Sequence, residues 1–343
     1  MTETLEDIAI RMVAEGKGIL AADESSGTIK KRFDTIGLQS TEDARRDYRE
    51  MLFSAEDAMR NYVSGVILFD ETLRQNARNG TPLVKLISDA GAVPGIKVDM
   101  GAQPLAGSPG ETITEGLDGL RGRLKEYYEL GARFAKWRAV ISIGDGRPSW
   151  NCINANSHAL ARYAALCQEA GIVPIVEPEV LMDGPDAVHD IDRCYDVTVW
   201  TLRTVFEELG FANVKLEGMI LKPNMVVPGQ GSEKKASVEE VAEKTVRALK
   251  NTVPPAVPGI AFLSGGQSAR EATAHLSAMN AMFDMPWKLT FSYGRALQAD
   301  ALKAWGGKPE NMRAGQAAFA HRVKMNGLAA MGGYQPDMEK QAA

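Results

Sequence analysis

The stretch Leu-Glu-Gly-Met-Ile-Leu-Lys-Pro-Asn-Met, at residues 216–225, decides the fold. Apolar residues run almost unbroken up to Lys222, and Pro223 then lacks the amide hydrogen that a strand ladder needs. This pattern predicts a buried parallel strand at 216–222 that ends in a loop. Burial disfavours the charged form of a lysine, and a neutral amine is a nucleophile that forms a Schiff base with a carbonyl. The structural alternative is that the side chain of Lys222 reaches out of the strand end into solvent.

Similar apolar runs occur on both sides of this stretch and alternate with amphipathic segments. With 216–222 included, the predicted strands are 18–23, 63–69, 93–99, 134–141, 172–180, 216–222, 259–265 and 288–294. The predicted helices are 4–15, 41–54, 117–130, 157–170, 190–209, 237–249, 268–283 and 309–330, and a polar loop is predicted at 24–28. Such alternation predicts a parallel sheet. Eight units favour one closed (β/α)8 barrel, a TIM barrel, spanning 1–343 as a single domain with an N-terminal helix, a C-terminal helix and a tail from about 331.

Composition excludes several classes of function. The chain of 343 residues is 45% hydrophobic and 24% charged, with a net charge of -5, so no global basic surface favours nucleic acid. No apolar run reaches the length of a membrane span, and the first residues resemble neither a signal nor a transit peptide. Its 3 cysteines lack metal-ligand spacing. We therefore expect a cytoplasmic protein that binds neither nucleic acid nor membrane.

Charged residues are concentrated at the C-terminal ends of the predicted strands. They are Asp23, Lys97, Asp99, Lys136, Arg138, Glu177, Glu179 and Lys222. Residues two apart on a strand share a face, and buried charges are costly unless they are paired. Since the carboxyl ends of barrel strands form the catalytic face, these charges predict an active site. Asp99 and Glu179 remain open to a supporting role.

Glycines follow the last two predicted strands, in Leu-Ser-Gly-Gly at 263–266 and Ser-Tyr-Gly-Arg at 292–295. Loops at this point of a barrel often bind phosphate through backbone N–H groups, and Arg295 would add a charged contact. Taken singly, each glycine is as typical of a turn. A second polar cluster comprises Ser25, Thr28, Lys31, Arg32 and Lys97. Two anion sites flanking a nucleophilic lysine predict a sugar phosphate with a phosphate at each end.

A metal-dependent mechanism would require clustered histidine ligands. The four histidines, at 158, 189, 275 and 321, all lie outside the predicted strand ends. His189 lies near Asp190 and Asp192, and we interpret this group as a solvated helix start. We therefore predict no metal and no other cofactor.

Seven blocks of sequence resemble class I fructose-bisphosphate aldolase, and they run in order through nearly the whole chain. The blocks are 18–25 (Gly-Ile-Leu-Ala-Ala-Asp-Glu-Ser), 95–99, 135–138, 176–179, 216–225, 262–267 and 291–298. The resemblance implies a Schiff base on Lys222 and acid–base catalysis of imine formation by Glu177. It assigns Asp23 to the C4 hydroxyl of fructose 1,6-bisphosphate, with Lys136 and Arg138 lining the centre.

The resemblance also implies which residues bind the two phosphates. Ser264, Gly265, Gly294 and Arg295 would hold the C1 phosphate, and Ser25, Thr28, Lys31, Arg32 and Lys97 would surround the C6 phosphate. To these we add Glu179 at the catalytic centre, and Asp99 and Ser292 at the substrate. Thr28 stands where the family pattern has serine, and it keeps the hydroxyl. The family further suggests a homotetramer.

The chain departs from the family pattern at its C-terminus, where relatives end in a tyrosine and this sequence ends in Gln-Ala-Ala. We expect Tyr334, the nearest tyrosine, to pack outside the barrel or to stay loose. Water or a barrel residue such as Glu177 would then serve the C3 proton. Two alternatives remain open: another Schiff-base enzyme, such as a transaldolase or a one-phosphate aldolase, and a binding or scaffold protein on the same barrel.

Overall fold

The computed structural model describes residues 3–184 and 187–342. Within these residues, eight parallel strands close into a barrel, each strand pairing with its neighbour in the chain and β8 pairing with β1. The barrel strands are β1 (Gly18–Ala22), β2 (Val63–Leu68), β3 (Val93–Lys97), β4 (Phe134–Ile141), β5 (Val173–Val180), β6 (Ile220–Leu221), β7 (Gly259–Phe262) and β8 (Lys288–Tyr293). An antiparallel hairpin, Ala102–Pro104 with Thr112–Thr114, lies outside the barrel. The predicted (β/α)8 barrel is confirmed.

Helices connect the strands and cover the barrel. They are α1 (Leu5–Met12), α2 (Ser26–Asp34), α3 (Glu42–Phe53), α4 (Glu56–Tyr62), α5 (Asp70–Arg74), α6 (Leu83–Asp89), α7 (Leu120–Glu129), α8 (Trp150–Glu169), α9 (Ile191–Phe211), α10 (Val238–Lys250), α11 (Ala269–Met282), α12 (Arg295–Trp305) and α13 (Met312–Ala330). Short 3₁₀ helices span Leu216–Gly218, Pro309–Asn311 and Pro336–Ala342. In the part of the chain that the structure describes, no helix is both long and apolar enough to cross a bilayer.

Three of the departures from the predicted boundaries have a local cause that the structure shows. The strand predicted at 216–222 begins only at Ile220, because the preceding residues form a 3₁₀ turn whose carbonyls, at Lys215 and Gly218, accept hydrogen bonds from the side chain of Gln168. The loop predicted at 24–28 is largely helix, since Ser25 caps the N-terminus of α2. Helix α8 begins at Trp150 rather than at 157, where its apolar periodicity first becomes clear.

The ring of Phe291 packs in the large cluster outside the strands, where a β-carbon on Gly18 would lie 2.7 Å from it. The ring of Phe134 lies in the layer of side chains that fills the interior of the barrel, and a β-carbon on Gly95 would lie 2.3 Å from it, so no side chain fits there. Helix α1 packs under this layer and closes the N-terminal end of the barrel. The opposite end, where the predicted charges lie, is left for the site.

Candidate active site

Lys222 extends the barrel ladder by one residue beyond β6. Its backbone N–H donates to the carbonyl oxygen of Val176 on β5, over 2.8 Å. The residue is only 4% exposed, so its side chain does not reach out into solvent. Its Nζ lies 3.0 Å from Oε1 of Glu177, a carboxylate that is itself buried on β5.

A second buried ammonium group links the two carboxylates of the site. Lys136 Nζ lies 2.8 Å from Asp23 Oδ2 and 3.3 Å from Glu177 Oε2. Asp23 follows the last residue of β1, whereas Lys136 and Glu177 lie on the adjacent strands β4 and β5. Four residues distant in sequence, Lys222 included, therefore form one buried cluster with two carboxylates and two ammonium groups.

The cluster controls its own protonation. Burial alone would raise the pKa of Asp23, but Lys136 and Lys222 outweigh it and hold that pKa at about 2. Burial likewise opposes ionisation of Glu177, and the cations Lys136, Lys222 and Arg138 lower its pKa nevertheless. Burial also disfavours the charge on Lys136, yet Asp23 and Glu177 raise its pKa. Both carboxylates are therefore ionised in this state of the site.

Asp99 and Glu179 each hold a basic side chain beside the cluster. Lys97 Nζ lies 3.0 Å from Asp99 Oδ1. Arg138 Nε donates to Glu179 in a short ion pair, and burial, which would lower the pKa of Arg138, is outweighed by that carboxylate. These contacts favour a supporting role for Asp99 and Glu179, the possibility that the sequence left open.

A cavity of about 270 Å³ opens above these groups at the barrel mouth. Its lining includes the catalytic-face charges Asp23, Lys97, Asp99, Lys136 and Arg138, together with Ser25, Thr28, Arg32 and Gly294. Four of these are basic side chains (Arg32, Lys97, Lys136 and Arg138), and they supply the positive charge that a phosphate requires. Lys31 lies apart from this lining and is exposed on α2.

The residues predicted for the other phosphate lie on the β7 and β8 side of the mouth. A β-carbon on Gly265 would lie 2.9 Å from Glu179 Oε1, so this loop touches the carboxylate that holds Arg138. Ser292 is buried on β8, and its hydroxyl makes no hydrogen bond with the described residues. Arg295 opens α12, is exposed, and lines a separate cavity of about 360 Å³.

A model of the family described as fructose-bisphosphate aldolase class-I matches residues 4–343. The chain belongs to the class I fructose-bisphosphate aldolase family. It is therefore a lyase, since aldolases are lyases. The resemblance of the sequence blocks is confirmed over nearly the whole chain.

The chain is similar to members of this family over almost their full lengths. A probable fructose-bisphosphate aldolase class 1 of Xanthomonas campestris is 59% identical, over 96% of this chain and 98% of the relative. Fructose-bisphosphate aldolase C of Rattus norvegicus is 54% identical, over 99% of this chain and 93% of the relative. The solved fructose-bisphosphate aldolase of Plasmodium falciparum, in complex with TRAP and a small-molecule inhibitor, superposes with a TM-score of 0.94 at 48% identity, covering 96% of this chain and 95% of that one.

The residue groups that the family resemblance implies for the two phosphates come into contact at Arg32 and Gly294. A β-carbon on Gly294 would lie 3.5 Å from a guanidinium nitrogen of Arg32. Arg32 also pairs closely with Glu24. Arg32 therefore borders residues that the sequence assigned to the opposite phosphate, a proximity that chain order does not reveal.

Sequence reasoning missed a buried network behind Asp23. Glu24 Oε1 accepts a hydrogen bond of 2.8 Å from Gln298 Nε2, and the backbone oxygen of Glu24 accepts one of 2.9 Å from Arg49. Arg49 and Gln298 are each 1% exposed. A signal was present, because Arg49 lies among the apolar positions of α3, where a single basic residue requires a buried partner.

The group of His189, Asp190 and Asp192 does stand at a helix start, where Asp190 caps α9 and Asp192 is exposed, but the expectation that His189 is solvated is wrong. His189 is 8% exposed, and burial lowers its pKa below the usual value. Its backbone oxygen accepts a hydrogen bond from Gly229 N, so the segment before α9 packs against a neighbouring loop instead of facing water. The other three histidines lie on α8, α11 and α13.

Tyr334 lies on the outside of the barrel. It is 5% exposed, and its carbonyl accepts a hydrogen bond of 3.3 Å from Ser277 on α11. Its hydroxyl donates to Glu339 Oε1 over 3.0 Å. Of the two expectations for this residue, packing outside the barrel describes it and a loose conformation does not.

Proposed function

We propose that this chain cleaves fructose 1,6-bisphosphate reversibly to dihydroxyacetone phosphate and glyceraldehyde 3-phosphate, through a Schiff base on Lys222. The observation that carries this proposal is the 3.0 Å contact between the buried Lys222 Nζ and Glu177 Oε1. An amine held against a carboxylate within a closed barrel has a proton acceptor at hand. Membership of the aldolase family supports the choice of substrate.

The first stage forms the iminium ion. Glu177 takes a proton from the ammonium group of Lys222, and the neutral amine then attacks C2 of the open-chain sugar. Loss of the charge on Lys222 removes one of the cations that lower the pKa of Glu177, so the carboxyl group retains that proton more readily. A proton of the attacking nitrogen passes to the C2 oxygen, and Glu177 then returns its own proton to the resulting hydroxyl, which leaves as water, so a protonated iminium remains.

The second stage breaks the carbon–carbon bond. Asp23 takes the proton of the C4 hydroxyl, the C3–C4 bonding pair moves towards the iminium nitrogen, and the aldehyde product leaves an enamine. Protonation at C3 and attack of water on the resulting iminium release dihydroxyacetone phosphate and restore Lys222. We assign the C3 proton to water or to Glu177, since Tyr334 is held outside the barrel.

Lys136 must release Asp23 during this stage. A carboxylate with a pKa of about 2 is a weak base. Lys136 already lies 3.3 Å from Glu177 Oε2, so a small shift of its Nζ towards Glu177 would free Asp23 for the C4 proton. In this assignment, the position of Lys136 decides whether Asp23 or Glu177 is the stronger base. Arg138, which Glu179 holds in place, lies beside the reacting carbons.

The two phosphates bind at opposite sides of the mouth. We assign the C1 phosphate to Ser264, Gly265, Ser292, Gly294 and Arg295. We assign the C6 phosphate to Ser25, Thr28, Lys31, Arg32 and Lys97, with Asp99 holding Lys97 in place. Among these, Arg32 stands beside both sets, and Lys31 would approach from the exposed face of α2.

We propose further that the enzyme acts without a metal ion or another cofactor, because the iminium nitrogen supplies the electron sink. A homotetramer and a cytoplasmic location follow from the family resemblance and the composition. The measured mass in solution by light scattering tests the assembly. Turnover that persists in EDTA tests metal independence, and a loss of activity that zinc restores would overturn it.

Covalent trapping tests the central assignment. Sodium borohydride in the presence of fructose 1,6-bisphosphate should reduce the imine, and peptide mass mapping should find the adduct on Lys222 alone. Lys222→Met should abolish trapping and turnover together while thermal unfolding shows a folded barrel. Labelling of a peptide that carries Lys136 instead would contradict the proposal.

A further inference from the structure

The loop after β7 carries Ser264 and Gly265, and two contacts fix it from the barrel side. Gly265 lies against Glu179, where a β-carbon would come within 2.9 Å of Oε1. Gly266 has a φ of +72° and lies against Met182, where a β-carbon would come within 2.8 Å. Neither contact holds the far end of the loop, where it turns into α11.

A buried pair of polar side chains holds that far end. The backbone N–H of Gln267 donates to the carbonyl of Ser264 over 3.2 Å, which closes the turn. The side-chain Oε1 of Gln267 lies 2.6 Å from Nδ1 of His275, which is about two turns into α11 from its capped start. Gln267 and His275 are each 7% exposed, and Gln267 Nε2 has no hydrogen-bond partner among the described residues.

His275 is neutral in this position. Burial lowers its pKa to about 4, although the carboxylates of Glu271 and Glu239 act in the opposite direction. A neutral imidazole carries one hydrogen, and an amide oxygen only accepts. The 2.6 Å contact therefore requires the hydrogen on Nδ1, so His275 donates and Gln267 accepts.

Gln267 also borders the cavity in which Arg295 lies. The lining of this cavity of about 360 Å³ includes Gly266, Gln267, Ser268 and Arg295. One end of the Gln267 side chain is thus held by His275, and the residue lies beside the arginine proposed for the C1 phosphate. The end of the loop and Arg295 therefore line the same cavity.

We propose that His275 is a positioning residue for binding of the C1 phosphate, acting through Gln267 on the loop at 264–267. This inference rests on the proposed function, which assigns Ser264 and Gly265 to that phosphate. Without the His275 donor, the buried amide of Gln267 has no partner at either end. A buried polar group left unpaired is unfavourable, so the side chain turns towards the cavity and releases the end of the loop.

Two ketones separate this role from the chemistry at Lys222. The half-saturating concentration for borohydride trapping is measured with dihydroxyacetone phosphate and with dihydroxyacetone, which lacks the phosphate. In His275→Leu, the value for the phosphorylated ketone should rise by about 5- to 30-fold, the size expected when a buried hydrogen-bonded group loses its partner. The value for dihydroxyacetone, and the trapping rate at saturation, should stay within about twofold of the wild type, since Lys222 and Glu177 are untouched.

Matched variants exclude a general effect on folding. His275→Asn keeps an N–H donor at the same number of bonds from the backbone and should bind dihydroxyacetone phosphate nearly as the wild type does. Gln267→Leu should reproduce the loss, and adding His275→Leu to it should add little, because both act on one hydrogen bond. His158→Leu, at an exposed position of α8, should change nothing.

Nitrogen NMR of the free protein offers a readout independent of substrate, since the hydrogen should be on Nδ1 of His275. A hydrogen on Nε2, or equal effects of His275→Leu on both ketones, would overturn the inference. If dihydroxyacetone phosphate traps the wild type and His275→Leu leaves its half-saturation unchanged, this inference fails alone. If dihydroxyacetone phosphate does not trap the wild type at all, the proposed function fails.

Discussion

Lys136 Nζ lies 2.8 Å from Asp23 Oδ2, and it is the largest of the cationic influences that keep this buried carboxylate ionised. Lys222, the proposed nucleophile, and Lys97 are the others. The same Lys136 lies 3.3 Å from Glu177. One ammonium group therefore adjusts both proposed proton acceptors, and changes at Lys136 should appear in the pH dependence of the enzyme.

Removing this ammonium group should raise the pKa of Asp23 and Glu177, because burial then acts against fewer cations. In Lys136→Met, kcat/KM should fall. In addition, the acid limb of its pH profile should move to higher pH by about one unit or more. The pH profile of the residual activity measures this shift. Lys125→Met, at an exposed position of α7, is the control, and an unmoved limb in Lys136→Met would contradict the assignment.

Asp23 should also stabilise the fold over a definite pH range. Its folded pKa of about 2 is below the unfolded value of ~3.9, so its contribution is complete above the unfolded value and is lost as pH falls through about 2. Unfolding in urea at pH 5, 4 and 3 should show the wild type losing more stability than Asp23→Asn. Parallel losses in the two proteins would mean that Asp23 is not held as described.

Lys97 should contribute to binding of the C6 phosphate and not to binding of the C1 phosphate. Lys97→Ala removes a cation from the mouth cavity and should penalise fructose 1,6-bisphosphate more than fructose 1-phosphate, which has no second phosphate. The ratio of kcat/KM values for the two substrates measures this difference. Equal penalties would place the C6 phosphate elsewhere and would favour a one-phosphate aldolase.

At the C1 end, Arg295→Ala should weaken both of those substrates alike. A hydrogen bond to a charged group contributes ~1.5–3 kcal/mol, and we expect the lower part of that range because Arg295 is exposed. That corresponds to roughly a tenfold fall in kcat/KM. A variant that spares fructose 1-phosphate while penalising the bisphosphate would reverse the assignment of the two ends.

Tyr334 should be dispensable for catalysis, because its hydroxyl is bonded to Glu339 on the outer surface of the barrel. Tyr334→Phe should change bisphosphate cleavage by less than about threefold, or ~0.7 kcal/mol on the barrier. Exchange of the C3 proton of dihydroxyacetone phosphate with solvent should be equally unaffected. General acid–base groups typically contribute ~10²–10⁴-fold, so a hundredfold slower exchange would show that the tail tyrosine acts in the site.

The tail should instead contribute to stability through Glu339. Its carboxylate accepts hydrogen bonds of 2.9 and 2.7 Å from Arg322, and Arg322 is 2% exposed. Glu339→Ala leaves that guanidinium buried without its carboxylate, and we expect a loss of ~1.5–3 kcal/mol in the free energy of unfolding. Chemical denaturation measures it. Asp337→Asn, which removes only an exposed pair with Lys340, should have no measurable effect.

The sequence predicted the barrel because the strands are apolar throughout and helical periodicity separates them. It also predicted that Asp23, Lys136, Glu177 and Lys222 meet, although Lys136 and Glu177 lie inside β4 and β5 and only Asp23 and Lys222 directly follow their strands. Parallel strands in a closed barrel bring their carboxyl ends to one face, so topology alone was sufficient for that inference. The early start of α8 and the shortness of β6 were not predictable, because capping by Ser149 and the side chain of Gln168 decide them.

Only the tertiary structure decided how the charges pair. Sequence spacing places Lys136 on the right face of β4, but it does not say that Lys136 lies between Asp23 and Glu177, or that Lys222 is held by Glu177. It gives no sign that Arg32 lies beside Gly294, and the apolar surroundings of Arg49 indicate a buried partner without identifying Glu24. The position of a strand follows from local periodicity, which depends only on residues that are close together in the sequence. The pairing of buried charges depends on distances of 3–4 Å between segments far apart in sequence, and those distances exist only once the barrel has closed.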